Sequence, residues 1–140
     1  MIDDYAHHPE ELRALITGAK SLFSDKKCTV VFQPHLYSRT KDQADGFAEV
    51  LDIADEVILL PIYPARELPM EGVSSEMIIE RMHNENKTVM SKADLIKHFA
   101  HEKYAHVEEG YNGHVIITAG AGDIDTLVQP IKAILESGNK

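Results

Sequence analysis

The chain has 140 residues, of which 44% are hydrophobic and 26% are charged, a composition typical of one folded domain. Fourteen basic and twenty-three acidic residues leave a formal charge of −9 at pH 7. So acidic a chain repels phosphate backbones and anionic lipids, which argues against nucleic-acid and membrane partners. The apolar runs are too short to span a bilayer, and Cys28 is the single cysteine, so neither a membrane anchor nor a disulfide framework is expected.

Near-continuous apolar runs of strand length predict a buried parallel sheet. These runs are rich in β-branched residues and show no alternating polar face, as expected of strands that are covered on both sides. They lie at residues 28–32, 57–62 and 115–119, with shorter candidates at 2–4 and 88–90.

Apolar residues spaced three and four apart predict helices between the strands and after the last one. The stripes begin near Leu12, Ala44, Met77, Leu95 and Ile124, and Pro130 predicts a kink or a fresh start in the last helix. Strands that alternate with helices predict right-handed βαβ units. We therefore predict one α/β domain over residues 1–140. It is a three-layer, Rossmann-like fold with helices on both faces of a mainly parallel sheet of about six strands, one of which can run antiparallel.

Four segments with polar, aromatic or glycine residues follow predicted strands. In open α/β sheets, ligands bind beyond the carboxyl ends of the strands, so these segments are expected to converge. They are Asp-Asp-Tyr-Ala-His-His-Pro at 3–9, Gln-Pro-His-Leu-Tyr-Ser-Arg-Thr at 33–40, Ile-Tyr-Pro-Ala-Arg-Glu at 62–67 and Gly-Ala-Gly-Asp at 120–123.

Arg39 is the strongest candidate for a binding residue. It falls in the first turn of a predicted helix, where backbone N–H groups and a guanidinium can together hold a carboxylate, with His35 and Tyr37 framing it. The alternative is a surface ion pair, for example with Asp42.

The other segments predict less specific chemistry. Adjacent His7 and His8 would point about 100° apart on a helix and would not hold one metal ion together, so no metal site is expected. Gly120 and Gly122 permit close backbone approach before Asp123, but the chain has no Gly-rich loop with a Lys that could cradle a triphosphate. Cys28, inside an apolar strand, is interpreted as inert core.

Taken in order, the four segments resemble the C-terminal domain of the Mur ligases of peptidoglycan synthesis. The run His-Leu-Tyr-Ser-Arg-Thr at 35–40 resembles the alanine-adding branch more than the tripeptide-recycling branch. The resemblance implies a cytoplasmic, ATP- and Mg²⁺-dependent ligase that activates the carboxylate of UDP-N-acetylmuramate as an acyl phosphate, which the amine of L-alanine attacks. It also implies that the UDP-binding domain and the central ATPase domain, which binds most of the ATP and Mg²⁺, lie outside this chain.

The resemblance also implies roles for individual residues. Asp4 would lie near the ATP ribose, and Arg39 would hold the alanine carboxylate in a pocket lined by Tyr5, His7, His35 and Arg39. Weaker candidates for the pocket are His8, Tyr37, Arg66, Gly120, Gly122 and Asp123. Leu36 stands where many family members have a second arginine, and Arg66 is a candidate substitute.

Three alternatives stay open at this point. The parent enzyme could add a tripeptide instead of alanine, or the chain could be a stand-alone Rossmann-like nucleotide-binding module. A metal-dependent hydrolase using His7, His8 and His35 is the third. Residues 101–113 are left unassigned.

Overall fold

A five-stranded, all-parallel sheet forms the centre of the protein. The structure is a computed structural model that describes residues 1–101, 111 and 113–138, so most of the unassigned stretch 101–113 lies outside the described residues. The strand order is β1-β5-β2-β3-β4. The strands are β1 (Ile2–Asp4), β2 (Lys27–Phe32), β3 (Glu56–Leu59), β4 (Lys87–Val89) and β5 (His114–Ala119).

Helices connect the strands and cover both faces of the sheet. They are α1 (Pro9–Leu22), α2 (Tyr37–Leu51), α3 (Glu76–Arg81), α4 (Lys92–His101) and α5 (Val128–Gly138), the last preceded by a 3₁₀ turn at Asp123–Leu127. The first three helices pack on one face, where Leu12, Phe47 and Ile78 are buried together. The fourth and fifth cover the other face through Phe99 and Ile131. The predicted three-layer α/β architecture is confirmed.

The central strands β2, β3 and β5 are mostly apolar because successive residues point alternately into two cores, one on each face of the sheet. In β2, Val30 and Phe32 belong to the core under α1–α3, whereas Val31 belongs to the core under α4 and α5. Each of these side chains is fully buried. These strands show no alternation of polar and apolar residues because helices cover both faces of the sheet.

The expectation of about six strands, one of them able to run antiparallel, is wrong for the described residues. Each of the five predicted runs supplies one strand, and every neighbouring pair in the sheet is parallel. A helix lies between each pair of consecutive strands, and such a crossover returns the chain in the same direction. After β5 the chain enters the 3₁₀ turn and α5, so it adds no further strand.

Two prolines mark helix starts as the sequence predicts. Pro9 is the first residue of α1, where a missing N–H costs nothing. Pro130 lies in the first turn of α5, which begins afresh after the 3₁₀ turn.

Ser75 precedes α3, but its hydroxyl donates to the carbonyl of Leu60 at 2.6 Å and does not cap the helix.

Among the described residues, no helix combines the length and the apolar character that crossing a bilayer requires.

Two leucines of α1 provide a matched test of this packing. Leu12 is fully buried, whereas Leu22 is 80% exposed on the same helix. We expect Leu12→Ala to lower the free energy of unfolding by about 2–5 kcal/mol, because it leaves a cavity in the core. Leu22→Ala should change it by about 0.5 kcal/mol or less. Urea unfolding followed by circular dichroism measures both, and equal losses would contradict the assigned packing.

Candidate functional site

The carboxyl ends of β1, β5 and β2 meet at one edge of the sheet. The chain leaves β5 towards α5 on one face and leaves β2 towards α2 on the other, so a crevice opens between the two exits. Backbone hydrogen bonds hold the ends of these strands together. The N–H of Gln33 donates to the carbonyl of Ala119 at 3.1 Å, and the N–H of Gly120 donates to the carbonyl of Asp4 at 3.3 Å. Gly120 has φ +146°, and a Cβ there would lie 3.0 Å from the carbonyl oxygen of Gln33. Only glycine fits this approach without strain.

The buried side chain of Gln33 ties the β5 exit to β2. Its Nε2 donates to Asp123 Oδ1 at 2.7 Å, and its Oε1 accepts the N–H of Ile124 at 2.9 Å. Lys92 of α4 bonds the other oxygen of Asp123 at 2.5 Å. Burial alone would raise the pKa of Asp123, but the hydrogen bonds from Lys92 and Gln33 outweigh it, and the pKa lies below its usual value. Gly122 completes the arrangement, because a Cβ there would lie 2.6 Å from both Gln33 Oε1 and the ring of Tyr63.

A line of aromatic and imidazole rings crosses the crevice. The ring of Tyr5 meets that of His7 edge-on at 5.5 Å between centroids, and His7 meets His35 in the same way at 5.9 Å. His35 then stacks on Tyr63 at 5.7 Å, with the planes only 14° apart. Tyr5 is 70% exposed, whereas the other three side chains are half-buried. The rings therefore form one wall that is open to solvent at the Tyr5 end.

Arg39 extends this wall from the first turn of α2. Its Nη1 donates to His35 Nδ1 at 3.2 Å, and because a guanidinium has no acceptor, the neutral imidazole carries its proton on Nε2. Arg39 is half-buried and forms no ion pair with Asp42 or with any other carboxylate of the described residues. The remaining guanidinium donors are available to a ligand.

The environment of His35 favours its neutral form. Burial lowers the pKa of His35 most, the charge of Arg39 and that of His7 lower it further, and Glu67 only partly offsets them. As the pH falls, the imidazole of His35 is therefore protonated at a higher pH in the unfolded chain than in the folded one. The contribution of His35 to stability is complete above the ordinary value of 6.5 and declines below it.

Glu67 occupies the N-terminus of α2. Its carboxylate accepts the N–H of Ser38 at 3.1 Å and the hydroxyl of Ser38 at 2.5 Å, and these bonds lower its pKa. The first-turn N–H groups that were expected to join Arg39 in binding a ligand carboxylate are therefore not all available. One of these groups already holds a carboxylate from the loop at 61–73.

The turn before α2 is held in a strained conformation. Leu36 has φ +73° and ψ 136°, a region that residues with a side chain rarely adopt. The N–H of Leu36 donates to the carbonyl of Tyr63 at 2.8 Å, and the N–H of Tyr63 donates to the carbonyl of Pro34 at 2.8 Å. These two bonds couple the segment 33–40 to the segment 62–67.

The rings of His7 and His8 lie together, contrary to the expectation that they would point about 100° apart. Both residues precede Pro9, the first residue of α1, so the helical geometry does not apply to them. Their centroids are 4.3 Å apart and their planes are tilted by 42°. Glu11 accepts the backbone N–H groups of both, at 3.3 and 3.1 Å, and the bond from His7 contributes most to lowering its pKa.

The two aspartates at the end of β1 have different roles. Asp3 Oδ1 accepts the hydroxyl of Thr118 on β5 at 2.8 Å, which ties the first strand to its neighbour. Asp4 Oδ1 accepts the N–H of Ala6 at 2.9 Å and is exposed. Both aspartates are exposed, but the carboxylate of Asp3 is bonded to β5, whereas that of Asp4 bonds within its own segment, so Asp4 is the better candidate to contact a ligand.

Three other predicted residues lie outside the ring wall. Tyr37 lines a separate hollow of about 130 Å³ between Pro61 and the start of α3, and none of the imidazoles lines that hollow. Arg66 is exposed and, within the described residues, makes no ion pair. Cys28 is buried, and burial raises the pKa of its thiol to about 11, in agreement with an inert core cysteine.

Sequence reasoning assigned no role to Gln33, Tyr63 or Glu67. All three lie in segments that follow predicted strands, and this position is the one feature of the sequence that indicated a role in the site. Their partners lie from 28 to 91 residues away along the chain, as with Tyr63 and His35 or Gln33 and Ile124. Only the folded arrangement reveals such contacts.

Comparison with known proteins gives consistent results. Residues 1–122 match the family model described as Mur ligase, glutamate ligase domain. UDP-N-acetylmuramate–L-alanine ligase of Porphyromonas gingivalis is 49% identical over 137 residues, 98% of this chain and 28% of that protein. The enzyme of the same name from Cytophaga hutchinsonii is 47% identical over 135 residues, 96% of this chain and 27% of that protein. The crystal structure of the Thermotoga maritima UDP-N-acetylmuramate–alanine ligase superposes with a TM-score of 0.63 at 26% identity, over 95% of this chain and 25% of that one. The chain thus spans about a quarter of the length of these relatives.

The charges around His35 predict opposite pKa changes in two variants. Arg39→Met removes a positive charge and should raise the pKa of His35, whereas Glu67→Gln removes a negative charge and should lower it further. Titration of the ring protons by nuclear magnetic resonance measures both, with His35→Gln to assign the signal. Shifts in the same direction, or none, would contradict the proposed electrostatics.

Proposed function

The chain belongs to the Mur ligase family, as its glutamate ligase domain, and we propose that it forms the amino-acid-binding part of an ATP-dependent carbon–nitrogen ligase. In this proposal the parent enzyme joins L-alanine to UDP-N-acetylmuramate in the cytoplasm during peptidoglycan synthesis. Relatives named UDP-N-acetylmuramate–L-alanine ligase, which are 47–49% identical to this chain over 96–98% of its length, support it.

The unpaired guanidinium of Arg39 is the observation that carries the proposal. In a chain of net charge −9, a half-buried arginine without a carboxylate partner among the described residues is suited to an anionic ligand. A guanidinium binds a carboxylate through two parallel hydrogen bonds. We assign the carboxylate of L-alanine to Arg39.

The imidazoles beside Arg39 suit the amino group of the same ligand. An amine attacks only in its neutral form, so uncharged groups suit the part of the pocket that faces it, while the positive charge of Arg39 faces the carboxylate. The lowered pKa of His35 favours its neutral form. The Nδ1 of His7 donates to the carbonyl of Tyr5 at 3.0 Å, which leaves Nε2 as an acceptor. We propose that Tyr5, His7 and His35 line the alanine pocket and orient the amine.

The remaining steps need residues outside this chain. We propose that the parent enzyme converts the muramoyl carboxylate to an acyl phosphate with ATP and Mg²⁺, and that the amine displaces phosphate to form the amide. The chain lacks a phosphate-binding loop, so ATP and Mg²⁺ are assigned mainly to the central domain of the parent enzyme. Exposed Asp4 at the end of β1 is suited to one contact, with the ATP ribose.

The weaker candidates take supporting roles in this proposal. The crevice is shaped by contacts between Gln33 and the segment that contains Gly120, Gly122 and Asp123. The ring of His8 packs against the ring of His7. Arg66 is exposed and makes no ion pair among the described residues, so we assign it to a second carboxylate, as suits a chain with Leu36 in place of a second arginine. Tyr37 is assigned to the neighbouring hollow.

Closure of this domain over the ATPase domain provides a physical reason for the split site. An acyl phosphate hydrolyses unless water is excluded until the amine arrives. A domain that carries the amino acid and closes over the phosphate excludes water and positions the nucleophile in the same movement. The chain alone therefore provides half of the catalytic site.

The proposal predicts a selective effect of Arg39→Ala in the full-length enzyme. Loss of a charge-assisted contact should raise the KM for L-alanine by about tenfold or more and leave the KM for ATP within about twofold. The exposed Arg13, which pairs with Glu49, provides a control: Arg13→Ala should change neither KM. Equal increases for alanine and ATP would refute the role of Arg39. Turnover with a tripeptide acceptor but not with L-alanine would assign the parent to the tripeptide-recycling branch.

The 140-residue chain alone should not catalyse ligation. Incubated with ATP, Mg²⁺, UDP-N-acetylmuramate and L-alanine, it should release no phosphate above a protein-free blank, because the phosphoryl half of the site is missing. Phosphate release that depends on alanine would show that the chain carries the complete site.

A further inference from the structure

Two imidazoles and a carboxylate converge at the start of α1. One ligand atom from each of His7, His8 and Glu11 lies within 4.8 Å of the others, the one such set of three in the part of the chain that the structure describes. The convergence arises because the histidine before Pro9 and its neighbour lie outside the helix, whereas Glu11 reaches back from the first turn.

The local hydrogen bonds orient His7 and Glu11 as ligands. The ring of His8 accepts the N–H of Glu11 in a capping box, so it binds an ion in exchange for that bond. The Nδ1 of His7 donates to the carbonyl of Tyr5, which fixes the tautomer and leaves Nε2 with a free lone pair. A ring N–H bonded to a backbone carbonyl is the usual support of a metal-binding histidine. Glu11 accepts both backbone N–H groups through Oε1, so Oε2 remains for an ion. The side chains of His7 and Glu11 are 20% and 52% exposed, so solvent can deliver an ion to them.

We propose that His7, His8 and Glu11 bind a divalent transition-metal ion of the Zn²⁺, Co²⁺ or Ni²⁺ type. Imidazole ligands favour these ions over Mg²⁺, which prefers an all-oxygen shell. Bonds of about 2.1 Å to a tetrahedral ion bring ligand atoms to about 3.4 Å from one another, so small side-chain rotations suffice. The negative charge of Glu11 offsets the positive end of the α1 dipole. The Nε2 of His7 is also the acceptor assigned to the alanine amine, so the ion and the amine would compete for it, but metal binding does not depend on that assignment.

Calorimetric titration of the 140-residue chain with ZnCl₂ tests the proposal. We expect one ion per chain and a loss of affinity of about tenfold or more in each of His8→Asn and Glu11→Gln. Asparagine is a good N-cap and glutamine can still accept the backbone N–H groups, so both variants should keep the helix start. Circular dichroism checks the fold of each variant.

His83 provides the matched control. It lines a surface groove with the carboxylates of Asp45, Glu49 and Asp52, so it tests whether any histidine near acidic groups attracts the ion. His83→Asn should bind Zn²⁺ like the parent chain. Parent-like binding by both His8→Asn and Glu11→Gln would overturn the proposal, as would loss of binding in His83→Asn.

A measurement on the unmodified chain removes the dependence on variant folding. Substoichiometric Co²⁺ is paramagnetic and should broaden the ring-proton signals of His7 and His8 before those of the other histidines. Excess Mg²⁺ should not reverse the effect, because the site discriminates by ligand type. Broadening that begins at another histidine, or that Mg²⁺ abolishes, would overturn the proposal.

Discussion

The position of β5 between β1 and β2 is the constraint on which the site depends. This order brings the end of the first strand, the glycines after the last and Gln33 after the second to one edge. Because α2 and α5 then leave on opposite faces, the crevice stays open instead of being filled by a connecting helix. A sheet with β1 directly beside β2 would separate the glycines from the imidazoles.

Within that edge, a single buried amide links backbone geometry to side-chain position. Gln33 satisfies both of its polar ends on the segment at 123–124, and Gly122 leaves room there for the ring of Tyr63. Tyr63 in turn stacks on His35, which bonds Arg39. The position of the guanidinium is therefore supported by contacts between segments that follow three strands, β2, β3 and β5, rather than by the rotamer of one exposed side chain. Such mutual support is typical of sites that must hold a ligand in one orientation.

Sequence patterns report local conformation well and spatial partnership poorly. The runs at 28–32 and 115–119 are apolar because both faces of the sheet are covered, so strand type could be inferred. The order of the strands could not, since periodicity carries no information about pairing. The orientation of His7 and His8 was predicted wrongly because helical geometry was applied two residues too early. The placement of Arg39 in a first helical turn was predicted correctly, but its lack of an acidic partner emerged only from the folded chain.

The strained backbone at Leu36 has a consequence for the thermodynamics of recognition. The bonds to Tyr63 and the grip of Glu67 on Ser38 hold this turn in place within the free domain. The conformational entropy of the turn is thus lost during folding, and a small ligand that binds beside it does not have to order it again. L-alanine, the ligand that we propose, is small and makes few contacts, so a turn that is already ordered would let it bind with modest intrinsic binding energy.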